Sequence, residues 1–153
     1  EKRSLKIAIS SIKYAFLKQD TNKLIVFDKD QAMRFEGNTG PYLQYSYARA
    51  NSILEKSKSK KKVMISELSD LEIGLMNKIG RFPEVVVKGA ETYSPSIVAN
   101  YAYELSKVFN EFYHSSKVIG SKEEAFRLKL VDAFRKTLKN ALYLLGIEVM
   151  EEM

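Results

Sequence analysis

Residues 35–49 read Phe35-Glu36-Gly37-Asn38-Thr39-Gly40-Pro41-Tyr42-Leu43-Gln44-Tyr45-Ser46-Tyr47-Ala48-Arg49, and this stretch decides how the rest of the chain is read. Two glycines and a proline end one element and launch another. Proline is pre-set for the first helical turn, and Thr39 or Gly40 before it can serve as the cap. In the helix that follows, Leu43, Tyr47, Ala50 and Leu54 share one apolar stripe. Tyr45, Arg49 and Ser52 stand at i, i+4 and i+7 on a second stripe, about 60° away. One helix thus offers a face for a core and, beside it, an aromatic ring with a guanidinium.

Upstream of this elbow, Leu5, Ile9, Ile12 and Phe16 recur at helical spacing and predict a helix over 5–18. Asp20-Thr21-Asn22 is a turn. Leu24-Ile25-Val26-Phe27 is short and branched, which fits a strand or an extended link. Asp28 can cap a short helical turn through Ala32 and Met33.

Downstream, the tyrosine-rich helix runs from Pro41 to about Lys56 and gives way to a lysine-rich polar loop. Ser69 and Glu72 form a capping-box pattern opening a helix to Ile79, and Pro83 starts another through Glu91. Ser94-Pro95 opens the longest apolar pattern, with Val98, Tyr101, Leu105, Val108 and Phe112 as its inner seam. Ser121 with Glu124 reads as a second capping box. The last helix presents Leu130 or Val131, Phe134, Leu138, Ala141 or Leu142, and Leu145. Gly146 ends it, with Ile147 placed to fold back on the final turn. The periods describe an all-α helical bundle preceded by a short α/β remnant, divided at the elbow into 1–40 and 41–153. No internal repeat is present.

The 153 residues amount to one domain with a short extra piece, and 45% hydrophobic residues suffice for a sizeable core. There are no cysteines, which excludes disulfides and thiolate metal sites. No apolar run approaches the length of a membrane span. The net charge is +6, and Lys56, Lys58, Lys60, Lys61 and Lys62 account for five of the 25 basic residues. A basic balance suits a polyanionic partner, and rings and guanidinium planes are what unstacked RNA bases stack on. The lysine run by itself fits a solvated loop.

The string Glu36 to Arg49 closely resembles the start of the anticodon-binding domain of arginyl-tRNA synthetases, departing only at Ser46 and Tyr47. Further pieces agree in order. Arg81-Phe82-Pro83-Glu84-Val85-Val86 is similar to the joint of that family. Ala99-Asn100-Tyr101 with Tyr103-Glu104-Leu105 resembles its Ala-Asn-Tyr-x-Tyr-Glu-Leu helix. Asp132-Ala133-Phe134-Arg135 is one residue from the Asp-Ala-Leu-Arg signature, and Leu144 to Met153 resembles the family terminus. The resemblance spans nearly the whole chain. It implies an arginine-specific tRNA as partner, bound through its anticodon loop, and a cytoplasmic setting. It also implies a catalytic domain, of which residues 1–40 would be the last sliver.

On that resemblance, Tyr45 and Arg49 align with the tyrosine and arginine that face the anticodon loop. Ser52 follows on the same stripe toward the RNA backbone, and Tyr113 and Met153 align with pocket elements. One departure stands out: the chain ends Met150-Glu151-Glu152-Met153, where the family often has Pro-Glu-Arg-Met, so Glu152 brings a negative charge where a positive one would favour phosphate.

The parent enzyme implied by the resemblance uses ATP and magnesium, but this chain has one histidine, His114, so a His-x-Gly-His signature is impossible. Lys58-Ser59-Lys60 has no neighbouring methionine and does not make the second ATP motif. Gly37 to Gly40 lacks the Gly-Lys-Ser/Thr ending of a phosphate loop. The expectation is therefore a recognition domain, without catalytic residue, cofactor or metal of its own. The competing class is a helical protein-interaction module without specific RNA binding. Asp132 and Arg135, at i and i+3, are expected to pair locally.

Overall fold

The computed structural model describes residues 2–57, 63, 65 and 67–153. Among them are α1 (Lys2–Leu17), α2 (Lys29–Ala32), α3 (Gly40–Lys56), α4 (Asp70–Gly80), α5 (Phe82–Glu91), α6 (Pro95–Ser115) and α7 (Glu124–Leu144), and no strand. The lysine run from Lys58 to Lys62 lies outside the described residues.

The local signals explain most helix ends. Thr39 caps α3, its Oγ1 accepting from Tyr42 N at 3.3 Å, with Pro41 in the first turn. Asp28 caps α2 by accepting from Gln31 N at 3.0 Å. The Ser69–Glu72 box closes in both directions. At the end of α7, Gly146 takes φ +65. Ile147 N then donates to Leu142 O and Gly146 N to Tyr143 O, each at 2.9 Å, which satisfies the last carbonyls of the helix. Ile147 turns inward, as its position past the glycine predicts.

Two local expectations fail. The second capping box does not form: Ser121 Oγ donates to Val118 O, and the Glu124 carboxylate accepts from Gly120 N at 3.0 Å. Glu124 is already the first residue of α7, so the pair stands one turn too early to cap it. Residues 24–27 form no strand with any other segment among the described residues, so the link reading holds and the strand reading does not. Leu24 and Val26 are 93% and 85% exposed, and Phe27 only stacks on Phe16 at 5.8 Å. A branched run needs a sheet edge to become a strand, and none is offered.

The core lies where α3, α6 and α7 meet. Leu43, Tyr47 and Ala50 enter from α3 with Leu54 at the margin, and Leu130, Val131, Phe134, Leu138, Ala141, Leu142 and Leu145 enter from the last helix. From α6 the seam is Val98, Ala102, Leu105, Phe109 and Phe112, with Tyr101 beside it. Phe109 takes the central place expected for Val108, which is only partly buried. A ring at 109 stacks flat on Phe134, centroids 3.8 Å apart, and fills a gap a valine would leave.

Helix α1 belongs to the same body but inverts its own pattern. Leu5, Ile9, Ile12 and Phe16 are exposed, whereas Ser10, Ser11 and Tyr14 are buried against the bundle. Close approach is what selects the small residues. A Cβ on Gly40 would stand 2.4 Å from Ser10 O, so α1 and α3 cross where only hydrogen and hydroxyl fit. Tyr14 Oη donates to Ala99 O of α6 at 2.9 Å and lies 2.6 Å from Asn38 Oδ1.

Candidate nucleic-acid interface

One side of the α3–α6 pair opens into a groove of about 820 Å³. Tyr45, Arg49, Ser52, Tyr113 and Met153 all line it, although they come from α3, α6 and the C-terminal tail. On α3 this follows from helical phase: burying Leu43, Tyr47 and Ala50 leaves the Tyr45–Arg49–Ser52 stripe at the edge of the core. On α6, burying Phe109 and Phe112 turns Tyr113 outward, 37% exposed.

The Arg49 guanidinium lies between two rings, its Cζ 4.7 Å from the Tyr45 centroid and 5.0 Å from that of Tyr113. Tyr113 stacks in turn on Phe109 at 6.4 Å, and Phe109 on Phe134. A column of flat groups therefore runs from the hydrophobic core to the surface: Phe134, Phe109, Tyr113, Arg49, Tyr45. Its root is fully buried and its tip is wet.

The cation is held by hydrogen bonds as well. Arg49 Nη2 donates to Tyr45 Oη at 3.0 Å and Nη1 to Asn110 Oδ1 at 2.5 Å. Asn110, from α6, donates both amide hydrogens, to Tyr42 Oη at 2.8 Å and to Ser46 Oγ at 3.0 Å. The Tyr42 hydroxyl titrates above its ordinary range because burial disfavours the phenolate.

The tail that brings Met153 to the groove is fastened along its length. Met150 is buried. Lys13 of α1 donates to Gly146 O, Gln44 Nε2 to Glu148 O at 2.8 Å, and Asn51 Nδ2 to Glu151 O at 3.4 Å. Asn51 in turn accepts from Arg135 Nη1 at 2.7 Å, while Arg135 Nη2 pairs with Asp132 at 2.9 Å, so the local Asp132–Arg135 pair is present and reaches the tail through Asn51. Glu152, the unfavourable charge of the terminus, lies 3.4 Å from Arg3 of α1. Lys56 and Lys117 stand on the groove margin as cations beside Glu55 and Glu151.

Asn110, Gln44 and Asn51 escaped the sequence reading. Their only signal is a polar amide beside apolar seam positions, and the Arg49, Glu148 and Glu151 groups they hold are 61 or more residues away in the chain. Among the described residues, no group of three or more His, Asp or Glu is placed to hold a metal ion, and no helix is long and apolar enough to cross a membrane.

The family model described as DALR anticodon binding domain matches residues 43–153. An arginine–tRNA ligase of Phocaeicola vulgatus is 40% identical over 96% of this chain and 26% of its own length. A solved arginyl-tRNA synthetase of Thermus thermophilus superposes with a TM-score of 0.94 at 32% identity, over 99% of this chain and 27% of that one. That of Plasmodium falciparum gives 0.91 at 32% identity, over 99% and 28%. The chain spans about a quarter of the length of the relatives it matches. It belongs to the DALR anticodon binding domain family, and arginyl-tRNA synthetases are its relatives in both sequence and structure.

Proposed function

We propose that the groove reads the anticodon loop of an arginine-specific tRNA and that the chain serves as the recognition domain of an arginine–tRNA ligase. The observation that carries this reading is the guanidinium set between the Tyr45 and Tyr113 rings at the mouth of a groove. A loop base extruded from its stack finds a ring face there, worth about 1–3 kcal/mol per base. Arg49 adds donors that remain free for a base edge or a phosphate. Ser52 offers a hydroxyl one turn on, Met153 a soft wall, and Lys56 and Lys117 attract the backbone.

The work of the domain is binding. On this reading ATP and magnesium, expected in the parent enzyme, belong to its catalytic part. That catalytic part covers the apolar stripe of α1, whose Leu5, Ile9, Ile12 and Phe16 face away from the bundle.

Titrating the chain at physiological salt with tRNA for arginine and with tRNA for another amino acid tests the reading. A clear preference for the first is expected. Equal, weak and steeply salt-dependent binding of both would leave only a basic helical bundle.

A further inference from the structure

Asn110 touches neither the groove nor solvent to any extent, being 8% exposed, yet it fixes the group at the groove's centre. Its amide has two donor hydrogens and one carbonyl oxygen. Both hydrogens are used, on Tyr42 Oη and Ser46 Oγ. Ser46 Oγ donates its own hydrogen to Tyr42 O at 2.9 Å, so toward Asn110 it can only accept. The amide is therefore locked with its oxygen toward Arg49, since a flipped amide would set NH₂ against guanidinium.

The chemistry of that anchor matters as much as its place. Both hydrogen-bond partners of Arg49, Asn110 and Tyr45, are neutral. A carboxylate at 110 would hold the guanidinium equally well and cancel its charge. An amide orients it and leaves the charge for a ligand.

We propose that Asn110 is a positioning residue for RNA recognition, a neutral anchor that keeps the Arg49 guanidinium between the two rings while leaving its charge uncompensated. This rests on the reading of Arg49 as a tRNA contact, and the test separates the two.

The first measurement needs no RNA. The Nε–H resonance of Arg49 in the ¹⁵N-labelled chain is shifted by the currents of both flanking rings. In Asn110→Ala it is expected to move toward the value of an unstructured arginine. An unmoved resonance in a folded variant overturns the proposal.

The second uses Asn110→Asp, which keeps size and shape and lets the Tyr42 hydroxyl donate instead, the Ser46 hydroxyl doing so by giving up its bond to Tyr42 O. Its Tm is expected to be no lower than that of the parent. Its affinity for arginine tRNA should fall about tenfold, with a salt slope smaller by about one. In an Arg49→Ala background the same change should cost less than twofold. Equal losses in both backgrounds, or undiminished affinity of Asn110→Asp, overturn the role of Asn110 while recognition by the groove survives. A parent chain that binds arginine tRNA no better than another tRNA overturns the functional reading and this proposal together.

Discussion

Gln44 holds the main chain at Glu148: its Nε2 donates to Glu148 O at 2.8 Å, while its Oε1 accepts from Ser10 Oγ at the same distance. A single buried amide thus joins α1, α3 and the C-terminal tail. Gln44→Leu leaves the Glu148 carbonyl without this partner and the Ser10 hydroxyl with Ile7 O alone, at a cost of about 1–3 kcal/mol in urea unfolding. It also frees the segment ending in Met153. Faster removal of the last residues by carboxypeptidase, together with weaker tRNA binding, is the expected result.

The rings and the hydroxyls of the column separate cleanly. Tyr113 contributes a face to Arg49, so Tyr113→Phe should bind tRNA like the parent and Tyr113→Ala about 1–3 kcal/mol more weakly. Tyr45 also accepts from Arg49 Nη2, so Tyr45→Phe should lose about 0.5–1 kcal/mol, measurable by equilibrium titration. Arg49→Ala removes both rings' partner and should cost about 1–3 kcal/mol.

Glu72 sets an acid limit to stability. Burial disfavours its charge, but Ser69 N–H, the Ser69 hydroxyl and Arg127 outweigh this and hold the carboxyl below its ordinary range. A depressed native pKa stabilises above the unfolded value of about 4.3 and is lost as pH falls through the native one. The parent's Tm should drop across that window. Glu72→Gln should be less stable by about 2 kcal/mol at neutral pH, leaving Arg127 only Lys117 O and the more distant Glu123 carboxylate, and flatter below pH 5. The slope that remains belongs to Asp132, held down by Lys136 and Arg135, to Glu148 beside Lys6 and to Asp20 beside Lys23 and Ser96.

Gly40→Ala places a methyl group against the carbonyl of Ser10. Since the obstruction is backbone, the crossing of α1 and α3 must open, costing about 1–3 kcal/mol. The midpoint of denaturant unfolding measures it. Gly74→Ala, where nothing stands within 4 Å, should instead leave the midpoint unchanged or raise it.

The exposed stripe of α1 makes an unusual expectation for apolar residues. Leu5→Gln and Ile12→Gln should change the stability of this chain by no more than about 0.5 kcal/mol, because half or more of each residue's surface stays in water. Calorimetry of the two variants checks it.

The helices of this chain were legible because their signals are local. The proline after Thr39, the Ser69–Glu72 box and the glycine before Ile147 each act within one turn, and each performs as its spacing says. The Tyr45–Arg49–Ser52 stripe was legible for the same reason, since helical phase alone separates it from Leu43 and Tyr47. Phe109 in place of Val108, and the polar buried face of α1, were not, because burial depends on which neighbour arrives.

By itself, then, the order of residues determined seven helical segments' worth of periodicity, their principal caps and the ring–cation stripe, all set by interactions spanning three or four positions. Only the tertiary structure decided that Tyr113 and Met153 meet that stripe, that Asn110 aims Arg49, and that α1 turns its serines inward. Those outcomes depend on contacts between groups 34 to 149 residues apart, and no periodicity records a partner that distant.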